Sequence, residues 1–576
     1  MARERSGIAR RNAETGAARK EWGGRRKIAI VYPNAYPLAM SNLGFLLIHA
    51  QINARPDRLC ERAFLAIGEK SRRPVVCGER RARSGAAPVA GRTLESGRLL
   101  SEFDVVAISL SFENDLLNVP GVLAAGGVSP FREDRIASGK RYPLVIAGGF
   151  AASLNPEPCG VFADAVVIGD GERAIEALLD LPDGDPADAD FMRAVAGVRG
   201  VYVASGYAPA YEGEGKCGRL VSLDPLPGFP CRVVRESLDL SLLAPPAPVV
   251  LADDAELGSM SLTETSRGCP NKCGFCAASH ANPVFREFSL ERVRAAVEAA
   301  RPYRKTAGLI GAAVLDWKPF RKFAREILEC GCSVSPASVR ADAVDDEIAD
   351  ILAQSGCRTV ALAPECGDER LRARVGKHIT DDVFFDAAAT LVRAGIVSFK
   401  LYFLIGLPGT RMEEEAEAIA GFMRRFRERV LAEARAVGRM GAITAVLSPF
   451  VPKPFTPLQW AGMAREEELE NGEKAAASLI RSVPNLRLTC ERPRDAILQG
   501  YLGLSDRRAA QMLRMVSGGR LPASPELSAM FSAVVHREKA PDEFFPWDVI
   551  EGGDKKANLR ARYEKYRMPG DRHSQF

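Results

Sequence analysis

The stretch SLTETSRGCPNKCGFCAASH, Ser261 to His280, decides how the rest of the chain is read. It opens as a short β-type run and breaks at Arg267-Gly268. It then sets three thiols, Cys269, Cys273 and Cys276, in a tight loop with CxxxCxxC spacing. Thiolates held this close serve a metal, because bare ones repel each other and oxidise. Three thiolates hold three irons of a cubane iron–sulfur cluster, whereas a structural cluster normally takes four. The fourth iron then keeps an open position for a chelating substrate. A closed zinc site competes, because His280 completes a CxxxCxxCxxxH pattern and zinc takes four N or S ligands. A zinc knuckle, however, sits in a short, basic, weakly apolar module. Here the motif follows a strand and opens a long alternation of strand and helix signals, which favours the cluster.

The alternation runs outward from that loop. Strand signals fall at Leu262–Thr265, Gly308–Ala312, Ser333–Val339, Thr359–Ala363, Phe399–Ile405 and Ile443–Leu447, with helical spacing between them. Six such units predict a partial (β/α)6 TIM-like barrel over 259–460, with chemistry at the strand carboxyl ends. The cysteine loop starts at such an end. Residues 461–576 carry helical patterns and predict a helical C-terminal domain.

Upstream, KIAIVYP (Lys27–Pro33), Asp104–Leu110, Pro143–Ala147 and Asp164–Ile168 read as buried strands, each running into a turn-rich or glycine-rich loop. Apolar strands alternating with helices predict an α/β, doubly wound Rossmann-like domain over 27–200, which binds ligands at its strand carboxyl ends. Gly148, Gly149, Gly169 and Gly171 are candidates for letting backbone approach a cofactor. GDGERA satisfies the GxGxxG/A fingerprint only on a late strand, a weak match to a dinucleotide site. Residues 201–258 read as a connector with a hairpin or two, and 1–26 as a flexible basic arm. Cys217 and Cys231 in the connector read as small apolar fillers.

At 576 residues, with 47% hydrophobic and 26% charged residues, the chain has the composition of a soluble globular protein of several domains. A net charge of +5 does not indicate nucleic acid as a partner. No apolar run approaches a membrane span. Thirteen scattered cysteines do not form a disulfide framework, so a reducing, cytoplasmic setting is expected.

The CxxxCxxC loop, with the aromatic Phe275 before its third cysteine, resembles the radical S-adenosylmethionine (radical SAM) superfamily. PE at 364–365, GLP at 406–408 and FVPKP at 450–454 extend the resemblance. It implies a [4Fe-4S] cluster on Cys269, Cys273 and Cys276, S-adenosylmethionine as co-substrate, and an electron donor such as flavodoxin or ferredoxin. Gly311 and Ala312 stand where relatives carry a Gly-Gly-Glu turn. The acid is missing, and Asp316 is a candidate substitute. Ser338 and Arg340 are candidates for the methionine carboxylate, with an Arg340–Asp342 or Arg340–Asp345 salt bridge as the competing reading. Glu365 is expected on the ribose or amine. Ile405 and Gly406 are expected on the adenine, while the Glu413–Glu415 run is adequately explained by the helix dipole. Lys453 and Trp460 are candidates for substrate contact, with packing the alternative for Trp460. Cys366, beside Glu365, is a candidate hydrogen donor or second ligand.

VIAGGFAASLNPEPCGVFADAVVIGDGE (145–172) looks like the second half of a cobalamin-binding-type domain, so cobalamin is a candidate cofactor and methyl transfer a candidate reaction. The DxHxxG motif of histidine-ligated cobalamin is absent, and His49 falls within a predicted helix. A non-catalytic iron–sulfur carrier or sensor is the alternative of a different class. An RNA methylthiotransferase lacks its second cysteine cluster and its RNA-binding barrel here.

Overall fold

The computed structural model describes residues 14–16, 20–66, 91–213, 218–247, 250–516, 521–522 and 524–567. Its first sheet is built on Arg26–Ala35, where Ile28, Ala29, Ile30 and Val31 are almost wholly buried. A continuous apolar run has no wet face, so such a strand is covered on both sides. The sheet runs Arg58–Ala66, Arg26–Ala35, Val105–Ser109, Leu144–Gly148, Ala165–Val167, Val201–Tyr202. All neighbours are parallel except the last pair. This is a doubly wound order, with its switch point between Arg26–Ala35 and Val105–Ser109.

Two glycines of this domain, Gly149 and Gly169, correct the reading placed on them. Gly149 has φ 106°, and a Cβ there would stand 2.4 Å from the Leu110 carbonyl oxygen. Gly169 has φ 96°, and its Cβ would stand 2.2 Å from that of Glu236. The backbone that approaches them closely is the chain's own. Gly148 and Gly171 would make only ordinary contacts, with Val167 and Ile48. The arm expected to be free over 1–26 is also anchored where it is described. Glu14–Thr15 pairs with Leu251–Ala252, and Glu14 meets the buried Arg62 at 2.7 Å. Residues 1–13 and 17–19 lie outside the described residues. In the connector, Tyr207–Glu212 and Arg219–Pro225 form the expected antiparallel hairpin. Cys231 is exposed, and Cys217 lies outside the described residues.

The second unit is a broken barrel of parallel strands in two arcs. Met260–Glu264, Thr306–Ile310 and Ser333–Pro336 make the first. Thr359–Glu365, Ser398–Ile405, Ile443–Pro449 and Leu486–Cys490 make the second. Six of these stand where the sequence places them, and Leu486–Cys490 is a seventh in the region read as helical. Strand alternation sorts the faces. Phe399 and Phe403 meet Phe426 and Phe422 of the Met412–Val437 helix at ring-centroid distances of 5.3 and 5.7 Å. The intervening Lys400 and Tyr402 are exposed on the other face. That helix ends on Gly438 in the left-handed conformation (φ 72°), the usual way to terminate a long helix.

The C-terminal helices tie the two units together. Pro493–Leu504 lies on the Glu113–Asn118 turn at the switch point. Asn155 donates to the Gly503 and Ser505 carbonyls, and the buried Glu157 pairs with Arg507 at 2.8 Å. Among the described residues, no helix is long and apolar enough to cross a membrane.

Candidate active site: the cysteine loop and the barrel mouth

The cysteine loop is a closed noose. Ser266–Arg267 pairs antiparallel with Arg286–Glu287, which seals the neck of residues 268–285. Gly268 (φ 82°) allows the seal, since a Cβ there would stand 2.7 Å from the Val284 carbonyl oxygen. Gly274 N–H donates to the Val375 carbonyl at 2.7 Å and docks the loop on the second arc. Cys273 is buried, and Cys269 and Cys276 are partly exposed.

The three thiols lie close enough to affect one another. Burial pushes Cys273 up to about 11, with Lys377 opposing and Cys276 adding to the rise. Burial also raises Cys276, and Cys269 adds to it. Unmetallated, Cys273 is therefore a thiol at neutral pH, and a cationic metal centre is what turns such donors into thiolates. Among the described residues no three His, Cys, Asp or Glu side chains converge on a single ion. A cubane takes one thiolate on each of three irons, so its donors need not converge. The donor set fits the cluster.

His280 closes the zinc alternative. It is fully buried, its Nδ1 faces Asp554 at 2.7 Å, and its Nε2 faces the Cys273 carbonyl at 3.1 Å. Its ring nitrogens face these two oxygens, and among the described residues His280 does not gather with the cysteines into a group that could hold one ion. His280 instead braces the loop.

The noose is held from both ends of the chain. On one side Asp170 of the GDGE loop bridges Arg267 (3.0 Å) and Arg286 (2.5 Å), the two residues paired across the neck. Arg267 also meets Glu172 at 2.7 Å and Glu264 at 3.0 Å. The GDGERA segment, weakly read as a dinucleotide fingerprint, is thus a clamp on the cysteine loop. On the other side Asp554 N–H donates to the His280 carbonyl, and Arg562 donates to the Lys272 carbonyl. Arg562, on the Lys556–Arg567 helix, lies within electrostatic reach of Cys273.

Around the noose, Glu365 ends its strand at a register break with φ 65°, a strained conformation for a residue with a side chain. Its carboxylate pairs with Lys377 at 3.0 Å, and both groups are within electrostatic reach of Cys273 and Cys276. Arg372 is fully buried, donating to the Pro364, Cys366 and Ile379 carbonyls and to Asp381. Burial pushes the Cys366 thiol up, and Glu365 and Glu415 add to the rise. A buried, protonated thiol is a poor second ligand. Ser338 Oγ accepts from Val314 N–H at 3.2 Å. Arg340 is met in fork geometry by Asp342, at 3.0 and 2.6 Å, as in the competing reading, and it is also within electrostatic reach of Cys273. A Cβ on Gly311 would stand 2.9 Å from Ser266 Oγ, so this glycine lets the second strand's loop press on the root of the noose. Ala312 is exposed, and Phe275 is half-buried against the main core.

The expected adenine segment is rearranged. Ile405 is wholly buried toward Gly472 on the outer Glu466–Ile480 helix, so it is not a shelf on the barrel interior. Gly406 N–H donates to Glu415 at 2.6 Å, and Leu407 N–H donates to the same carboxylate at 3.0 Å. Glu415 therefore does more than favour a helix N-terminus: it holds the GLPG loop in shape. Its sequence signal was hidden in a run of three glutamates. Trp460 packs in the core against Phe545 and Tyr563, as the packing alternative has it. Lys453 pairs with Glu113 of the N-terminal domain. Lys400 and Tyr402, exposed on the strand face opposite the outer helices, were not singled out. Only the settled register of their strand shows which way they face.

A family model described as radical SAM proteins, N-terminal, matches residues 44–204, and the radical SAM superfamily model matches residues 263–420. The uncharacterized protein MJ0966 of Methanocaldococcus jannaschii is 24% identical over 369 residues, covering 64% of this chain and 70% of that protein. The uncharacterized methyltransferase PH0819 of Pyrococcus horikoshii is 27% identical over 335 residues, covering 56% of this chain and 66% of that one. Among solved structures, the radical S-adenosylmethionine methyltransferase TsrM from Kitasatospora setae superposes with a TM-score of 0.44 at 14% identity, covering 73% of this chain and 72% of its own. The cobalamin-dependent S-adenosylmethionine radical enzyme OxsB gives 0.46 at 13% identity, covering 72% and 56%. With two of its family models matched over more than half of the residues and the three cysteines drawn into one sealed loop at a barrel mouth, the chain belongs to the radical SAM superfamily.

Proposed function

We propose that this protein binds a [4Fe-4S] cluster on Cys269, Cys273 and Cys276 and cleaves S-adenosylmethionine reductively to generate a radical for a substrate. When bound, the cluster supplies the electron that splits the C5′–S bond, giving methionine and a 5′-deoxyadenosyl radical. The chain's own work is positioning and exclusion of water. The sealed neck at Ser266–Arg267 and the Gly274–Val375 contact fix the donors, while Glu415 sets the backbone of the GLPG loop. Glu365 and Lys377 place a carboxylate and an ammonium beside the cysteines, a pair suited to the polar groups of an amino acid or a ribose. An external one-electron donor such as flavodoxin or ferredoxin, and a reducing cytoplasmic setting, belong to this reading.

The observation that carries it is the sealed three-cysteine loop from which His280 is excluded as a fourth ligand. Anaerobic reconstitution followed by dithionite and S-adenosylmethionine tests it. 5′-Deoxyadenosine should appear by mass spectrometry with wild type and be absent with Cys273→Ala. A full cluster that yields no nucleoside would make the protein an electron carrier instead.

Cobalamin-dependent methyl transfer is the second reading, supported by the doubly wound N-terminal topology and the methyltransferase name of one relative. The residues now at the switch point do not fit a corrin. Asn34 holds Asp115 at 2.7 Å, Glu113 holds Lys453 and Gln499, and the Pro493–Leu504 helix lies on the same turn. His49 is buried, with Nε2 on Asn53 at 3.0 Å. No step is derived through cobalamin, whose binding requires this latch to open. A corrin absorption band retained after reconstitution and desalting would show that it does.

A further inference from the structure

Away from the barrel mouth, the C-terminal helices and the connector hairpin enclose a cavity of about 310 Å³. Lys539 lines it and is 6% exposed. An ammonium has three N–H donors, and here one goes to the Ala461 carbonyl at 3.0 Å. Among the described residues, no carboxylate comes within ion-pair distance of it. The other cations of the wall are already matched: Arg537 by Glu543, Arg508 by Asp506 at 2.7 Å, and Arg219 by Glu212. Glu543 is further occupied by the Ala540 N–H at 3.1 Å. Lys539 is thus the charge left over in this cavity. Burial pulls its ammonium down to about 7. A second group shares the unfinished state. Ser505, also on the cavity wall and 4% exposed, has a buried hydroxyl with no hydrogen-bond partner among the described residues. The remaining wall is largely apolar, including Met530 and the stacked pair Phe545–Trp547, whose ring centroids are 4.7 Å apart.

A buried cation without a counter-charge is costly unless an anion joins it or it neutralises. A concave, mostly apolar space with a few unspent polar groups is the usual form of a small-molecule site. We propose that this cavity binds a small carboxylate with an apolar body, its charge on Lys539 and Ser505 and its body on Phe545 and Trp547. The site is separate from the cysteine loop. Because Ser505 is also where Asn155 of the N-terminal domain attaches, and Ala461 follows the barrel-mouth loop, an occupant would touch both joints of the molecule.

Benzoate and inorganic phosphate serve as probes in calorimetric titrations of the full chain, comparing wild type with Lys539→Met and Ser505→Ala. Lys539→Met keeps the volume and removes the charge, and Ser505→Ala leaves the lysine in place should the first variant fold poorly. The expected result is benzoate binding that weakens tenfold or more in Lys539→Met and several-fold in Ser505→Ala, with phosphate much weaker. Binding of phosphate alone, equal benzoate affinity in wild type and both variants, or no binding of either probe would each overturn the proposal.

Discussion

Replacing Asp170 by Asn should loosen the cysteine loop without touching it. Asp170 is an N-terminal-domain residue whose carboxylate, 10% exposed, lies on Arg267 at 3.0 Å and Arg286 at 2.5 Å. Burial pushes its pKa up, but the two guanidiniums outweigh burial and hold it below the usual carboxylate value. A group so depressed contributes stability that is present above its unfolded pKa and lost only as pH falls through the lower folded one. At neutral pH the clamp is therefore fully charged. Removing one partner of a buried ion pair costs about 3–5 kcal/mol. Arg267 keeps Glu172 and Glu264, so the lower end, about 3 kcal/mol, is appropriate. Arg286, by contrast, keeps among the described residues only the Leu238 carbonyl as a side-chain partner. If that cost falls on the sealed state of the neck, its opening becomes more populated by about two powers of ten. The assay is anaerobic iron release to a chelator, followed optically, with the electron paramagnetic resonance signal of the reduced cluster as a second readout. The expected outcome is iron loss faster by roughly 100-fold. Iron retention within a factor of about two of wild type would refute the clamp, since a two-decade effect was required. A wild type that never holds iron would instead refute the cluster itself.

Further outcomes follow from other contacts. Gly268→Ala meets both a positive φ and the Val284 carbonyl, so it should destabilise the neck by at least about 1–3 kcal/mol and lower the iron bound per chain on reconstitution. Glu415→Gln leaves one of the Gly406 and Leu407 N–H groups without its acceptor, at a cost of about 1–3 kcal/mol. It should weaken S-adenosylmethionine binding in equilibrium dialysis while the iron content stays at the wild-type level. Glu473, 8% exposed, has its pKa pushed up by burial to about 7, with Glu470 adding. Raised in the folded state, it favours folding below its unfolded pKa of about 4.3, and that contribution is lost as pH rises through about 7. Glu473→Gln should therefore melt higher than wild type at pH 8 and differ little from it at pH 5, read by thermal unfolding at the two values.

Much of this protein could be read from its residues because some segments permit only one physical outcome. KIAIVYP has no polar face, so it becomes a buried parallel strand. Three thiols in CxxxCxxC spacing call for a metal, whatever surrounds them. Six barrel strands were visible for the same reason as the first sheet. The strands that escaped are those whose side chains do not announce burial. Arg58–Ala66 carries Arg58, Glu61 and Arg62 on a sheet edge, and their charges are satisfied by partners distant in sequence: Glu176, Thr93 and Glu14. Leu486–Cys490 sits at the end of its arc and alternates with Arg487 and Thr489.

The sequence by itself determined the class of the two α/β units and singled out the three thiols of the candidate cluster site, because both follow from local pattern and donor chemistry. Only the tertiary structure decided what the polar residues around those thiols do. Local sequence shows that Asp170, Arg340, Glu415 and His280 can each make a strong contact. Which contact forms depends on what another part of the chain brings within about 3 Å: Arg267, Asp342, the Gly406 N–H and Asp554. Hydrogen bonds and ion pairs act at that range, and only the folded chain sets it.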